Sequence, residues 1–430
     1  MTWSAGLMLA IAGMLLSGVS ARAGNLPDDF FPILPWDGLQ GWDIQVKGFA
    51  DPIESVAECN FTVAAFVQPS QLALCEKLGL KAIIAPTLEG QPWKKWGEVP
   101  DEKIDALVKR WLEAAGDSSS IMGYFIIDEP GTPKFGKLAK AVAAVGKYAP
   151  GKLAYINLFP GYATIGNPDE SQLGAASFTE YLERFVAEVK PEMLSYDNYK
   201  IFTSDNLQSR DQGASYFRDL MEVRRVASKH GLPFWNTVCS NQIRNYTTIP
   251  SPANLMLQAY TTLAAGGRGI AWYTYYQRGY AYAPIDDNGH RTDTWYYLQD
   301  VNRQVKVLGP IMNRLKSTGV FYTDPAPADG LPALPGRLIE RVESRTSIKG
   351  FSDAKPPIMV GEFEGKDGSS YVMLVNLSLE KSANFIIHTR KDYAKKQVIS
   401  AVDGAASPLD ETNGHWLVPG QGVLIALGPS

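Results

Sequence analysis

Ile121-Met-Gly-Tyr-Phe-Ile-Ile-Asp128-Glu129-Pro130-Gly131 is the stretch that decides how this chain is read. Apolar, β-prone residues run straight into two adjacent carboxylates, and a Pro-Gly pair stops the strand. A strand apolar on both faces belongs in a parallel sheet covered by helices. The C-terminal end of such a strand is where α/β barrels carry their chemistry. Glu129 is therefore placed as a catalytic acid/base, with Asp128 beside it to tune or orient it. The competing reading is helix capping, because Asp and Glu favour helix N-termini.

Working outward, eight apolar β-prone runs alternate with helix-like segments: Phe31–Trp36, Phe61–Val67, Lys81–Pro86, Met122–Ile127, Leu153–Leu158, Met193–Tyr196, Pro233–Val238 and Gly269–Tyr276. Ile104, Leu107, Val108, Trp111 and Leu112 show the helical spacing of the intervening segments. Eight β/α units predict a (β/α)8 TIM barrel. An open doubly wound sheet is the alternative, but its Gly-rich phosphate loop is absent. After Gly319 the texture changes to a connector with Pro325, Pro327, Pro332 and Pro335, then short alternating runs separated by turn signals. These predict a small antiparallel β-sandwich domain. The expected division is a leader over 1–23, a catalytic barrel over 24–318 and the β-domain over 319–430.

The strand ends form a set. Run one ends in Trp36-Asp37, run five carries Asn157, and run six ends in Tyr196-Asp197-Asn198-Tyr199. Run seven carries Trp235 and Asn236, and run eight Trp272 and Tyr273. Asp, Asn and Glu bind sugar hydroxyls, and Trp or Tyr rings stack on sugar faces. Trp36, Asp37, Asn157, Tyr196, Asn198, Trp235, Asn236, Trp272 and Tyr273 are thus candidate substrate contacts. Glycosidic cleavage needs a proton for the leaving oxygen and a negative group near the oxocarbenium-like transition state. Glu129 is the candidate acid and Asp197 the best second carboxylate. Taken one at a time, such strand-end residues are often only turn residues.

The 430-residue chain has a net charge of -4, which offers no footprint for nucleic acid. Leu7–Leu16 followed by Ala21-Arg22-Ala23 reads as an export signal, so a periplasmic or secreted protein is expected, with no membrane span after its removal. Cys59, Cys75 and Cys239 are too few for a disulfide framework, though Cys59 and Cys75 could pair; buried thiols are the alternative. With four His and no paired His or Cys spacing, no zinc and no other cofactor is expected.

Asp128-Glu129-Pro130 resembles the Asn-Glu-Pro of clan A glycoside hydrolases, whose Glu is the acid/base. The order of barrel then β-domain, with Asn302-x-x-Val305-x-x-Leu308-Gly309, is similar to family 42-like β-galactosidases and their relatives. The resemblance implies a glycoside hydrolase with Glu129 as proton donor and a carbohydrate as partner. It has a departure: clan A enzymes carry a nucleophilic Glu at the end of strand seven, and Phe234-Trp-Asn-Thr-Val-Cys239-Ser-Asn-Gln242 has no carboxylate. Tyr196-Asp197 instead resembles the Tyr-Asp of chitinase-like barrels, which use the substrate's own acetamido group. Two strand intervals of about 4.8 Å set the backbones of Glu129 and Asp197 roughly 10 Å apart. That spacing leans towards inversion, with a water between the carboxyls, or towards substrate assistance. Asp286 and Asp287, in the long loop after run eight, are further candidates. A catalytically silent carbohydrate-binding barrel is the main alternative function; a lyase or a metal-dependent hydrolase is another.

Overall fold

The computed structural model describes residues 27, 29–36, 45–85, 96–201, 213–244, 247–346 and 355–428; the leader and Asp37 lie outside the described residues. Eight parallel strands form one sheet in the order β1-β8-β7-β6-β5-β4-β3-β2. They are β1 (Ile33–Pro35), β2 (Val63–Val67), β3 (Lys81–Ile84), β4 (Ile121–Asp128), β5 (Leu153–Leu158), β6 (Leu194–Asp197), β7 (Phe234–Cys239) and β8 (Ile270–Tyr273). Thr62 joins the two ends of that order. Its amide donates to the Ile33 carbonyl (3.0 Å), and its hydroxyl accepts from the Ile33 amide (2.8 Å). The expected barrel is the observed fold.

Helices pack around it: α1 (Pro52–Glu58), α2 (Leu72–Lys77), α3 (Asp101–Ala115), α4 (Phe135–Tyr148), α5 (Phe178–Arg184), α6 (Gly213–His230), α7 (Pro252–Ala264) and α8 (Asp293–Asn313). α7 is buried on all sides over Asn254–Ala264, and longer helices such as α3 present an apolar stripe to the sheet. In α3 the buried residues are Ile104, Val108, Trp111, Leu112 and Ala115, a helical period. Strand side chains alternate between the two sides of the barrel wall. Leu34, Val63, Met122, Phe125, Tyr155, Trp235 and Ala271 fill the interior, while Leu194, Tyr196, Phe234, Ile270 and Trp272 join the layer beneath the helices.

One irregularity in β4 matters for function. Phe125 pairs with Tyr155 and Ile127 with Ile156, so Ile126 is an extra residue, a β-bulge. The Trp96 indole donates to the Ile126 carbonyl (3.0 Å). Phe125 and Asp128 are an odd number of positions apart, and strict alternation would send them to opposite sides. The bulge turns both inward.

Among the described residues the C-terminal part holds nine strands, including β9 (Leu315–Tyr322), β11 (Ile358–Gly365), β12 (Ser370–Asn376) and β17 (Gly422–Leu427). They form a six-stranded and a three-stranded antiparallel sheet around a core with Ile339, Val360, Leu374, Phe385 and Ile425. This is the expected β-sandwich. It docks tightly on α7: a Cβ on Gly361 would lie 2.2 Å from the Ala264 carbonyl oxygen, and one on Gly422 would lie 2.4 Å from the Tyr260 ring. The three cysteines are free and buried, so no Cys59–Cys75 bridge forms. Among the described residues no helix is long and apolar enough to cross a membrane.

Candidate active site

Asn157 organises the mouth of the barrel. Its position on β5 faces inward, beside Asp128 on one neighbouring strand and Ser195 on the other. Its Nδ2 donates to Asp197 Oδ1 (2.6 Å) and to Asp128 Oδ1 (3.2 Å). Its Oδ1 accepts from Ser195 Oγ (2.9 Å) and Thr237 Oγ1 (3.1 Å). The amide is therefore held from both ends, and its donor end points at two carboxyls. Glu129 completes a cluster of three, because its carboxyl hydrogen-bonds that of Asp197. The Tyr199 hydroxyl donates to Asp197 as well.

Burial raises the proton affinity of all three groups. Asp128 is pushed up to about 7, first by desolvation and then by the charge of Glu129. Glu129 is raised by desolvation, partly offset by its bond to Asp197. Asp197, 3% exposed, is raised well above the usual range by desolvation and then by Asp128 and Glu129. Two carboxyls in hydrogen-bond contact hold a proton between them, so the cluster keeps an acidic proton near neutral pH.

Glu129 itself sits on strained backbone, with φ 44, a left-handed value uncommon for a residue with a side chain. Its amide still pairs with the Asn157 carbonyl (2.8 Å), and the Tyr181 hydroxyl holds the Pro130 carbonyl (2.7 Å). These bonds fix the turn that aims Glu129 into the mouth. Opposite, the segment between β5 and α5 is anchored by Asp219, whose carboxylate accepts from the Gly161 amide (2.9 Å).

A cleft of about 290 Å³ opens in front of Glu129, lined by Phe159, Tyr162, Gln172, Tyr199, Lys200 and Thr247 among others. Tyr199 stacks on Tyr273 with ring centroids 4.9 Å apart, and the Tyr273 and Tyr280 hydroxyls are 3.1 Å apart. Tyr273 is thus among the expected contacts that the fold brings to the mouth, with Asp128, Glu129, Asn157 and Asp197.

The others lie elsewhere. Trp36 and Trp235 fill the barrel interior, Trp36 against Phe66 (5.0 Å) and Trp235 against Tyr155 (5.5 Å). Tyr196, Asn198, Asn236 and Trp272 face the helix layer. Asn198 donates to the Tyr196 hydroxyl and the Tyr216 carbonyl, Asn236 to Thr262, and Trp272 to Asn302. All four are fully buried in those bonds, with no surface left for a sugar. The carboxylate of Asp286 accepts from the Asn288 and His290 amides, as a turn residue does, and Asp287 accepts from Gln277. Tyr199, Tyr162, Gln172 and Lys200 were not anticipated. Tyr199 was legible by parity, since it stands two residues after the inward Asp197.

One expectation needs revision. The side chains of Glu129 and Asp197 lean inward from their separate strands into hydrogen-bond contact, closer than the water-spanning gap that the strand intervals suggested. The end of β7 presents Cys239, whose thiol donates to the Asn241 carbonyl (3.1 Å) and is pushed up to about 12, chiefly by burial. It stays protonated at neutral pH.

No family model and no curated protein sequence matches the chain. Solved structures share its fold. A glycoside hydrolase of family 5 from Bacteroides vulgatus superposes with a TM-score of 0.55 at 11% identity, over 93% of this chain and 90% of its own. An α-amylase from Geobacillus thermoleovorans, complexed with acarbose, gives 0.52 at 12% identity over 93% and 98%. At such identities the likeness is one of fold. It does not confirm the finer resemblance to family 42-like β-galactosidases, and the residues that suggested it have packing roles here. Asn302 bridges Trp272 and the Cys59 carbonyl, and a Cβ on Gly309 would lie 2.3 Å from the Phe31 ring. What is shared with these hydrolases is the (β/α)8 barrel.

Proposed function

We propose that the chain is a glycoside hydrolase that cleaves O-glycosidic bonds of an oligo- or polysaccharide, with Glu129 as general acid/base. One observation carries this reading: Asp128 and Glu129, half-buried, and Asp197, buried, form a hydrogen-bonded carboxyl cluster that opens into an aromatic-walled cleft. A carboxyl held protonated near neutral pH is what protonation of a leaving glycosidic oxygen requires. Desolvation favours that proton on Glu129, and Tyr162 and Tyr199 offer ring faces to the sugar.

The source of the nucleophile follows from what stands around the cluster. Cys239 is a protonated thiol, and Glu129 and Asp197 touch. An acetamido group of the substrate, attacking its own anomeric carbon while Glu129 protonates the leaving oxygen, fits both facts. Asp197, bonded to Tyr199 and Asn157, is then the group that orients and stabilises that acetamido. Export belongs to the same proposal and rests on Leu7–Leu16 with Ala21-Arg22-Ala23.

The test is a panel of aryl glycosides and natural polysaccharides, with and without a 2-acetamido group, and proton NMR of the first-formed anomer. Retained product from acetamido substrates alone is expected. Turnover of 2-hydroxy glycosides with retention overturns the assisted route. Tight binding of oligosaccharides with no turnover of any member favours the silent carbohydrate-binding barrel, the reading that the missing strand-seven carboxylate supports.

A further inference from the structure

The cleft in front of Glu129 carries a cation that the proposed chemistry does not use. Lys200 follows Tyr199 directly and lines the same cleft as Glu129. Its ammonium lies 5.2 Å from the centroid of the Tyr162 ring. Among the described residues no carboxylate pairs with it, although ion pairs are common on this protein's outer surface. The ring face gives the charge partial compensation and holds it at the border of the cleft. Gln172 lines the cleft too. Its Oε1 accepts from the Thr164 amide (3.0 Å), which turns its Nε2 donors away from that contact, and among the described residues they have no acceptor.

We infer that this cleft takes an anionic sugar unit, one bearing a carboxylate or a sulfate ester, with Lys200 and Gln172 as the residues that recognise the charge. A neutral sugar leaves the ammonium with only the Tyr162 ring as partner, whereas an anionic group satisfies it with a charge-assisted hydrogen bond. The clustered carboxyls do not repel such a ligand as three full charges, because burial and mutual contact keep them partly protonated. Lys200 is thus a specificity-determining residue. The inference rests on the cleft being the sugar site of the proposed hydrolase.

The experiment is calorimetric binding to the full chain carrying Glu129→Gln, which stops turnover. The ligands are oligosaccharides of galacturonate and of hyaluronate with their carboxyl-reduced counterparts, and a sulfated galactan oligosaccharide with its desulfated form. At least one anionic member is expected to bind about tenfold or more tightly than its neutral counterpart. Lys200→Met should remove that preference and Lys200→Arg should keep it. Whether the carboxylate or the sulfate pair shows it identifies the anion. Neutral members binding as tightly as anionic ones throughout, or a preference that survives Lys200→Met, overturns the inference and leaves the hydrolase reading standing. No binding by any member, charged or neutral, overturns both.

Discussion

The carboxyl of Glu129 hydrogen-bonds the carboxyl of Asp197, although β5 stands between their two strands. Such a contact requires a proton, and so it ties the acidity of the candidate catalyst to a neighbour on another strand. Asp197 in turn is held by Asn157 and Tyr199. The acid is therefore one member of a coupled group whose protons are shared.

Replacing Glu129 by Gln removes the transferable proton and keeps the shape. Because positioned acid/base groups contribute about a hundredfold or more, turnover should fall by at least that factor with the fold left intact. An activated aryl glycoside, which needs less help in leaving, should lose less. A fully active Glu129→Gln protein would refute the assignment.

The backbone at Glu129 makes a second, independent prediction. At φ 44 a side chain is strained, and glycine is not. Glu129→Gly should be more stable than Glu129→Ala by about 1 kcal/mol, read as a higher denaturant midpoint. Equal stabilities would show that the turn relaxes when the side chain is cut back.

The barrel was legible because its signals are local. Eight apolar runs and the amphipathic spacing of segments such as α3 locate the strands and helices. β9 was harder to see: Lys316, Ser317, Thr318 and Gly319 are polar, as suits an edge strand of the six-stranded sheet. The carboxyls of β4 and β6 were legible as strand ends. Their company was not, because it depends on which side of the wall each residue faces. Once Asp197 is known to point inward, alternation sends Tyr196 and Asn198 outward and Tyr199 inward. In β4 alternation fails at the Ile126 bulge, which no sequence pattern marks.

Stability should fall across the acid-to-neutral range on account of the cluster. Asp128 rises from an ordinary value of 3.8 to about 7 in the fold. Below about pH 4 both the folded and the unfolded chain hold this proton, and no penalty arises. Between about 4 and 7 the unfolded chain releases it while the folded chain retains it, so stability drops as the pH rises. Glu129 and Asp197 are raised as well and act in the same sense. Asp128→Asn should therefore be more stable than the native chain at pH 8, by on the order of 2 kcal/mol, and nearly equal to it at pH 4. Urea midpoints at the two pH values measure this. A gain as large at pH 4 as at pH 8 would mean that ionisation is not the cause.

The last prediction concerns the bulge that aims Asp128. Ile126 is the extra residue of β4, and its carbonyl is held by the Trp96 indole rather than by the neighbouring strand alone. Trp96 is buried and packs in the outer core. Trp96→Phe keeps an aromatic ring there but removes the N–H, leaving a buried carbonyl without its donor. That costs about 1–3 kcal/mol. If the indole also holds the bulge in register, the loss reaches the site: Asp128 turns away from Asn157, and the charge that raises the affinity of Asp197, the partner of Glu129, for protons is displaced. The alkaline limb of the pH–rate profile should then move to lower pH, because the acid loses its proton earlier. Trp96→His, which restores a ring N–H in roughly the same place, should bring back part of both effects. A Trp96→Phe protein that is less stable but keeps its pH profile would show that the bulge holds itself, and that the indole only satisfies the carbonyl.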